Sequence, residues 1–219
     1  MNYLLKMAQR QDSLNEITVK SWRNKGLNFR RALRLEAAEA MESTPWKWWK
    51  DGEMDTENLI IEAVDMMHFG LSIALMEGYS GWTWLDEQVK ILFDSMTPDI
   101  IDLSTMQDAI DDIMYMSFLK PGVSAAPSDI IYVVAKLMWL LGMSRDDMFK
   151  MYFSKNVLNE FRQANGYKEG TYIKQWGRDE DNVFMQSFVS NIGISDHFED
   201  DLYNGLTDRY SEVKEESAQ

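Results

Sequence analysis

Apolar residues return three and four places apart along almost the whole chain, which is the period of the α-helix. Alternating strand-like runs bounded by turn pairs are absent. The four prolines, at 45, 98, 121 and 127, all fall where the periodic segments break. The pattern predicts an all-α fold, with helices at about 3–17, 27–43, 56–77, 84–96, 99–118, 127–142, 145–165, 179–191 and 196–214. Ser144, with Asp147 three residues on, predicts a capping box, and Gly142 predicts the C-cap of the helix before it. Gly78, Gly81, Pro98, Pro121, Gly122 and Pro127 punctuate the middle, so a smaller helical lobe (about 78–127) is expected beside a bundle core. No internal repeat or low-complexity tract divides residues 1–219, which reads as one domain with fraying expected in the terminal VKEESAQ.

Two of these helices are apolar on nearly every side except where acids point. Glu36 and Glu39 lie three apart among Leu33, Leu35, Ala37, Ala38 and Ala40. Glu62 and Asp65 lie three apart among Leu59, Ile60, Ile61, Val64, Met66 and Met67. Residues three apart share a helix face, so each pair projects together. An isolated E-x-x-E pair is usually a solvated surface feature. A helix apolar all round is usually buried, however, and buried carboxylates need a partner or a metal. Two such helices side by side pool four carboxylates, whose mutual repulsion raises their pKa values. Hard oxygen ligands without paired lysines suit hard cations, Mg²⁺ above all.

Composition narrows the class. Hydrophobic residues make up 45% of the 219, ample for a packed core. There is no cysteine, hence no disulfide framework, thiolate metal site or cysteine nucleophile, which fits a reducing cytoplasm. MNYLLKMAQRQDSLNE lacks the apolar core of a signal peptide, and no uninterrupted apolar stretch of about 20 residues predicts a membrane span. A net charge of −14 argues against a nucleic-acid binder. Residues 1–50 nevertheless hold ten Lys/Arg against five acids, and residues 177–219 eleven acids against three Lys/Arg. Between them, Lys155, Arg162, Lys168 and Lys174 face only Glu160 and Glu169 within 155–174, a basic stretch suited to an anion or to a solvated helix face.

Further constellations cluster around the acids. Trp46, Trp48 and Trp49 alternate with Lys47 and Lys50 directly after the first acidic helix. They can plug a core or wall a site for a base, because flat rings stack on nucleobases. Gln11 and Asn15, four apart, offer two amides, each a donor and an acceptor; alone they read as exposed polar residues. His68 follows Asp65 at D-x-x-H spacing, which suits a core-edge histidine, a ligand or a substrate contact. The spacing resembles a di-iron Glu-x-x-His, but His197 has Ile194 three places before it, so the second motif is missing. SKNVLNEFRQANGYKEGTYIKQWGRDEDN (154–182) gathers lysines, an arginine, amides and tyrosine hydroxyls around Gly166 and Gly170, an inventory suited to a triphosphate.

At this stretch the chain resembles the dimeric all-α dUTP pyrophosphatases, which are related to phage dCTP/dUTP pyrophosphatases and to MazG-type pyrophosphohydrolases. QDSLNE is similar to that family's uracil-contact motif, EAAE and EAVD to its metal motifs, PWKWWK to its Trp-rich segment, and KNVLNEFRQANGYKEGTYIKQW with EDN to its phosphate motifs. The family's Trp-x-Gly-x-Glu-Asp-Asn stands here as Trp176-Gly177-Arg178-Asp179-Glu180-Asp181-Asn182, with the glycine moved by one place. The stretch from about 78 to 140 carries no matching motif.

The resemblance implies a catalytic domain that hydrolyses dUTP to dUMP and pyrophosphate. It implies that Glu36, Glu39, Glu62 and Asp65 bind two or more Mg²⁺ ions with substrate, Glu36 orienting or deprotonating the attacking water. Gln11 and Asn15 would read the base, and Trp48 and His68 would contact base or deoxyribose. Lys155, Asn159, Arg162, Tyr167, Lys174 and Asn182 would hold phosphates. A homodimer is implied, with parts of each site coming from the partner, and dUDP is a further candidate substrate. A pyrophosphatase acting on dCTP, or on both nucleotides, is the neighbouring alternative, since an amide can turn to serve either pyrimidine. A non-catalytic nucleotide sensor or adaptor is the alternative of another class.

Overall fold

The structure is a computed structural model that describes residues 2–95, 102–119, 126–193, 195 and 197–217. The breaks expected at Pro98, Pro121 and Gly122, the helix ends expected at 96, 99 and 196, and the final two residues lie outside the described residues. Nine α-helices are present among the described residues: α1 (Tyr3–Thr18), α2 (Phe29–Glu42), α3 (Thr56–Met76), α4 (Trp82–Asp94), α5 (Leu103–Phe118), α6 (Pro127–Leu140), α7 (Arg145–Ala164), α8 (Asp181–Ser190) and α9 (Phe198–Ser217). A 3₁₀ turn, Trp22–Asn24, links α1 and α2, and two short antiparallel strands, β1 (Gln175–Trp176) and β2 (Asp179–Glu180), precede α8. The fold is all-α, as the periodicity predicts.

Local chemistry sets most boundaries. Asn2, Asn28, Asp55, Asp102 and Ser144 each accept a hydrogen bond from a backbone N–H in the first turn of their helix. Asn28 thereby starts α2 two residues later than the apolar pattern predicts. Ser144 and Asp147 form the reciprocal capping box. Gly142 and Met143 donate back to Trp139 and Met138, a Schellman closure that needs the positive φ of Gly142 (77°).

The strands displace the start expected for α8 from 179 to 181. Trp176 pairs with Asp179, leaving Gly177-Arg178 as a two-residue turn. Gly177 has φ +77° at its first position, where a side chain would be strained. The shifted glycine is therefore the residue that makes the ribbon possible.

Helix α3 lies at the centre and packs on α1, α2, α6 and α7. By length and composition it could cross a membrane, but most of it is buried within the fold and it carries Glu62 and Asp65. One core cluster runs through Leu4 and Met7 (α1), Leu33 and Ala37 (α2), Met66 and Leu71 (α3), Ile110 (α5), Val134 (α6) and Phe161 (α7). Each such large side chain contributes roughly 1.5–3 kcal/mol on burial. From the middle of the chain, α4 packs on α1 and α6 while α5 packs on α2 and α6, and Leu85, Val89 and Ile113 join the same cluster.

Candidate active site

The loop between α2 and α3 closes on itself, because Asp55 N–H donates to the Ser43 carbonyl (2.8 Å) and Asn58 donates to Ser43 Oγ (2.8 Å). The two helices consequently pack as a pair and their acidic faces meet. Glu36, Glu62 and Asp65 each offer a carboxylate oxygen, and the three atoms lie within 4.8 Å of one another. They sit in the wall of a cleft of about 830 Å³. Glu39 lines the same cleft, one helical turn along, but is more exposed and stands outside the triad.

Electrostatics mark the triad as unfinished. Burial, then the nearby charge of Asp65 and a hydrogen bond with Glu62, push the Glu36 carboxyl up to about 8. Burial and Asp65 also raise Glu62, although its hydrogen bond with Glu36 pulls the other way. Carboxyls held this high are short of positive charge. The donor set, three hard oxygens converging in a partly buried wall, fits a hard divalent cation and can hold one.

Beside the acids, α7 and the loop after it supply cations, so one of the acids, Asp65, has a paired lysine where the sequence pattern suggests none. Lys155 is 3% exposed; its ammonium donates to Asp65 (2.8 Å) and to the Asn182 side chain (3.0 Å). Arg162 spends its guanidinium fork on Asp181, at 2.8 and 2.7 Å, and also reaches Asn159 (3.1 Å) and Asn182 (3.3 Å). Burial alone would lower the Arg162 pKa, but the Asp181 bond and charge outweigh it and raise the value. Lys174 pairs with Glu180 (2.8 Å). Lys155, Asn159, Arg162, Tyr167, Lys174 and Asn182 all line the cleft with the acids.

The glycine-rich loop is folded back to achieve this. Gly166 takes φ +88°, and a Cβ there would sit 2.1 Å from Thr171 Oγ1, so no other residue fits. Tyr172 stacks on Tyr210 of α9 (5.0 Å) and donates to Asp181 (2.8 Å), and Trp176 buries against Phe161. The loop is thus pinned from beneath by α9.

The four residues expected at the base and sugar are arranged differently. Trp48 is 89% exposed, edge-on to Trp49, on the loop rooted at Ser43 and Asp55 beside the cleft. Gln11, Asn15 and His68 are buried in a polar layer between α1, α3 and α7 and do not line the cleft. The Tyr152 hydroxyl lies between the Met7 carbonyl (3.0 Å) and Gln11 Oε1 (2.9 Å), Gln11 bonds Asn15 (3.0 Å), Asn15 bonds Ser72 (3.0 Å) and Ser72 donates to the His68 carbonyl (2.9 Å). The His68 ring stacks on Tyr152 (4.3 Å) and bonds the Val64 carbonyl through Nδ1 (2.8 Å). Burial lowers its pKa to about 4, so the ring is neutral at pH 7.

Sequence reasoning missed several residues here. Asn58, four before Glu62, and Phe69, four after Asp65, extend the acidic face of α3 and line the cleft; the same helical spacing that found the acids reaches them. Asp181 is fully buried and orders Arg162 and Tyr172; the EDN segment contains it, but the resemblance gives a role only to Asn182. Ser72 and Tyr152 read as ordinary core positions in the sequence.

A family model described as dUTPase matches residues 3–167. No curated protein matches the chain. The family match contains Gln11 to Tyr167, including all four acids, Lys155 and Arg162, and stops before Lys174 and Asn182. Covering well over half of the 219 residues, it establishes that the chain belongs to the dUTPase family, enzymes that hydrolyse dUTP.

Proposed function

We propose that this enzyme hydrolyses dUTP to dUMP and pyrophosphate with Mg²⁺ held by Glu36, Glu62 and Asp65, and with Glu39 as a further ligand once substrate is bound. The observation that carries the reading is a cleft that brings the converging carboxylates together with Lys155, Arg162 and Lys174. When bound there, Mg²⁺ supplies charge neutralisation at the phosphate oxygens and acidifies water.

The protein's own groups do the rest. Glu36 takes the proton of the attacking water as general base. Water oxygen bonds to the α-phosphorus, the bridge from α- to β-phosphate breaks, and pyrophosphate leaves with the electron pair. Lys155 and Lys174 neutralise the phosphates as point charges. Arg162 is committed to Asp181, so it acts mainly by holding Asn159 and Asn182 at the cleft wall. Tyr167 adds a hydroxyl at the rim. Gln11, Asn15 and His68 would read the pyrimidine, the role that the family resemblance gives them. Trp48, projecting beside the cleft, covers the nucleoside.

The working unit in this reading is a cytoplasmic homodimer, supported by exposed Leu35, Tyr115 and Phe118 on α2 and α5. The deciding assay is pyrophosphate release from each deoxynucleoside triphosphate, with Mg²⁺ and with EDTA. Mg²⁺-dependent release from dUTP with dTTP untouched supports the proposal. Faster release from dCTP, or release that survives EDTA, defeats it.

A further inference from the structure

Helix α9 lies beyond the family match, and its inner face is an apolar stripe with one exception. Phe198, Leu202, Leu206, Tyr210 and Val213 are its buried residues, three or four places apart. Tyr210 alone among them carries a polar side-chain atom. Phenylalanine would serve packing as well, so the buried hydroxyl needs an account of its own. The helix is closely seated. A Cβ at Gly205 would lie 2.5 Å from the Phe188 ring of α8, and Glu199 pairs with Arg10 of α1 (3.1 Å).

That hydroxyl meets the loop that carries Lys174. Residues 171–174 have no regular secondary structure, so no ladder holds their backbone. The Thr171 and Tyr172 N–H groups donate to the Gly166 carbonyl (2.9 and 3.3 Å). The Ile173 N–H donates to the Tyr210 hydroxyl oxygen (3.0 Å), a bond whose sense is fixed because an amide N–H can only donate. The Ile173 carbonyl accepts from Trp176 Nε1 (2.8 Å), and the Lys174 carbonyl from the Asp181 N–H (3.1 Å). The Tyr210 ring also stacks on Tyr172 (5.0 Å) and tilts against Trp176 (5.7 Å). Both backbone groups of Ile173 are thereby held, while the next side chain, Lys174, is left half-exposed in the cleft beside Glu180 (2.8 Å).

We propose that Tyr210 is a positioning residue for substrate affinity, its hydroxyl fixing Ile173 and thereby aiming Lys174 at the triphosphate. This rests on the reading of Lys174 as a phosphate ligand. A lysine is a point charge on a flexible stem, so its placement depends on the backbone beneath it. Glu36, Glu62 and Asp65 are carried by α2 and α3, whereas α9 packs on α7 and α8. Loss of the Tyr210 bond therefore weakens the hold on the phosphates and leaves the hydrolytic step alone, which raises KM and spares kcat.

The test measures kcat and KM for dUTP, with Mg²⁺, in the wild type, Tyr210→Phe, Lys174→Met and the double variant, alongside thermal melting. The expected result is a KM raised about threefold to tenfold in Tyr210→Phe, with kcat within about twofold of the wild type. In the Lys174→Met background the same substitution should leave KM where it was, because the group it positions is gone. An equal rise in KM in both backgrounds, or a fall in kcat alone, assigns the hydroxyl to packing and overturns the inference. Should Tyr210→Phe fail to fold, Trp176→Phe frees the Ile173 carbonyl instead and goes through the same cycle, with the same outcomes deciding. A wild type inert toward dUTP, or a Lys174→Met variant of unchanged KM, removes the reading of the site and this inference with it. A raised KM in Lys174→Met beside an unchanged one in Tyr210→Phe removes only this inference.

Discussion

At the residue scale, Glu36 is where folding and catalysis pull in opposite directions. Its carboxyl is ordinary in the unfolded chain, near 4.5, and about 8 in the fold. The folded state therefore binds more protons than the unfolded one between those values, and stability must fall as pH rises through that window. In EDTA, melting temperature should decline from about pH 5 to 8, and saturating Mg²⁺ should flatten the decline by replacing the missing positive charge. A profile in EDTA that rises over the same range would contradict the buried, repelled carboxyl. Glu36→Gln separates the two demands. It should raise the melting temperature in EDTA at pH 8, weaken the response to Mg²⁺, and lower kcat on the order of 100- to 10,000-fold, as loss of a general base does. Equal kcat in wild type and Glu36→Gln would move the base elsewhere. The acids could be found from sequence because helical spacing puts i and i+3 on one face whatever the tertiary fold. Asp181, Ser72 and Tyr152 could not, because their partners come from elsewhere in the chain: Arg162 lies 19 residues away, Asn15 57, and Gln11 141.

At the element scale, what the periodic pattern conveys is helix and not its end. The nine helices of the described residues follow from apolar spacing, while their starts answer to single caps such as Asn28, and the β1–β2 ribbon answers to Gly177. Two-residue strands bury too little to leave an alternation in the sequence. The ribbon and α8 matter because they deliver Asp181 to α7. Arg162 and Asp181 are both buried, with Tyr172 donating to the same carboxylate. Removing one partner of such a pair strands the other charge away from water. Asp181→Ala should cost about 3–5 kcal/mol in urea unfolding, well above an exposed pair such as Lys174–Glu180, which is worth at most about 1 kcal/mol. A loss under about 1 kcal/mol for Asp181→Ala would show that water reaches Arg162 and that the C-terminal ribbon is not clamped to α7. The same substitution should raise KM, since Arg162 loses the anchor that lets it hold Asn159 and Asn182 in place.

At the scale of the whole molecule, charge shapes how substrate arrives. The chain carries a formal −14, and its cleft is lined by seven carboxylates against Lys155, Arg162 and Lys174. A triphosphate approaching that surface meets repulsion at long range and attraction only inside the cleft. Salt screens exposed charges beyond about 10 Å at 0.1 M but weakens close, partly buried pairs much less. Raising NaCl from about 10 to 100 mM at saturating Mg²⁺ should therefore increase kcat/KM for dUTP, because it removes the long-range repulsion and spares the local contacts. Enzymes that steer an anion with a basic surface show the reverse. A fall in kcat/KM over that range, with kcat constant, would mean that the locally basic stretch of α7 dominates the field at the mouth, despite the net charge. With the long-range field repulsive, divalent cation has two tasks, one at the triad and one on the nucleotide. The Mg²⁺ dependence should accordingly fail to saturate at triad occupancy and continue upward until the nucleotide itself is complexed.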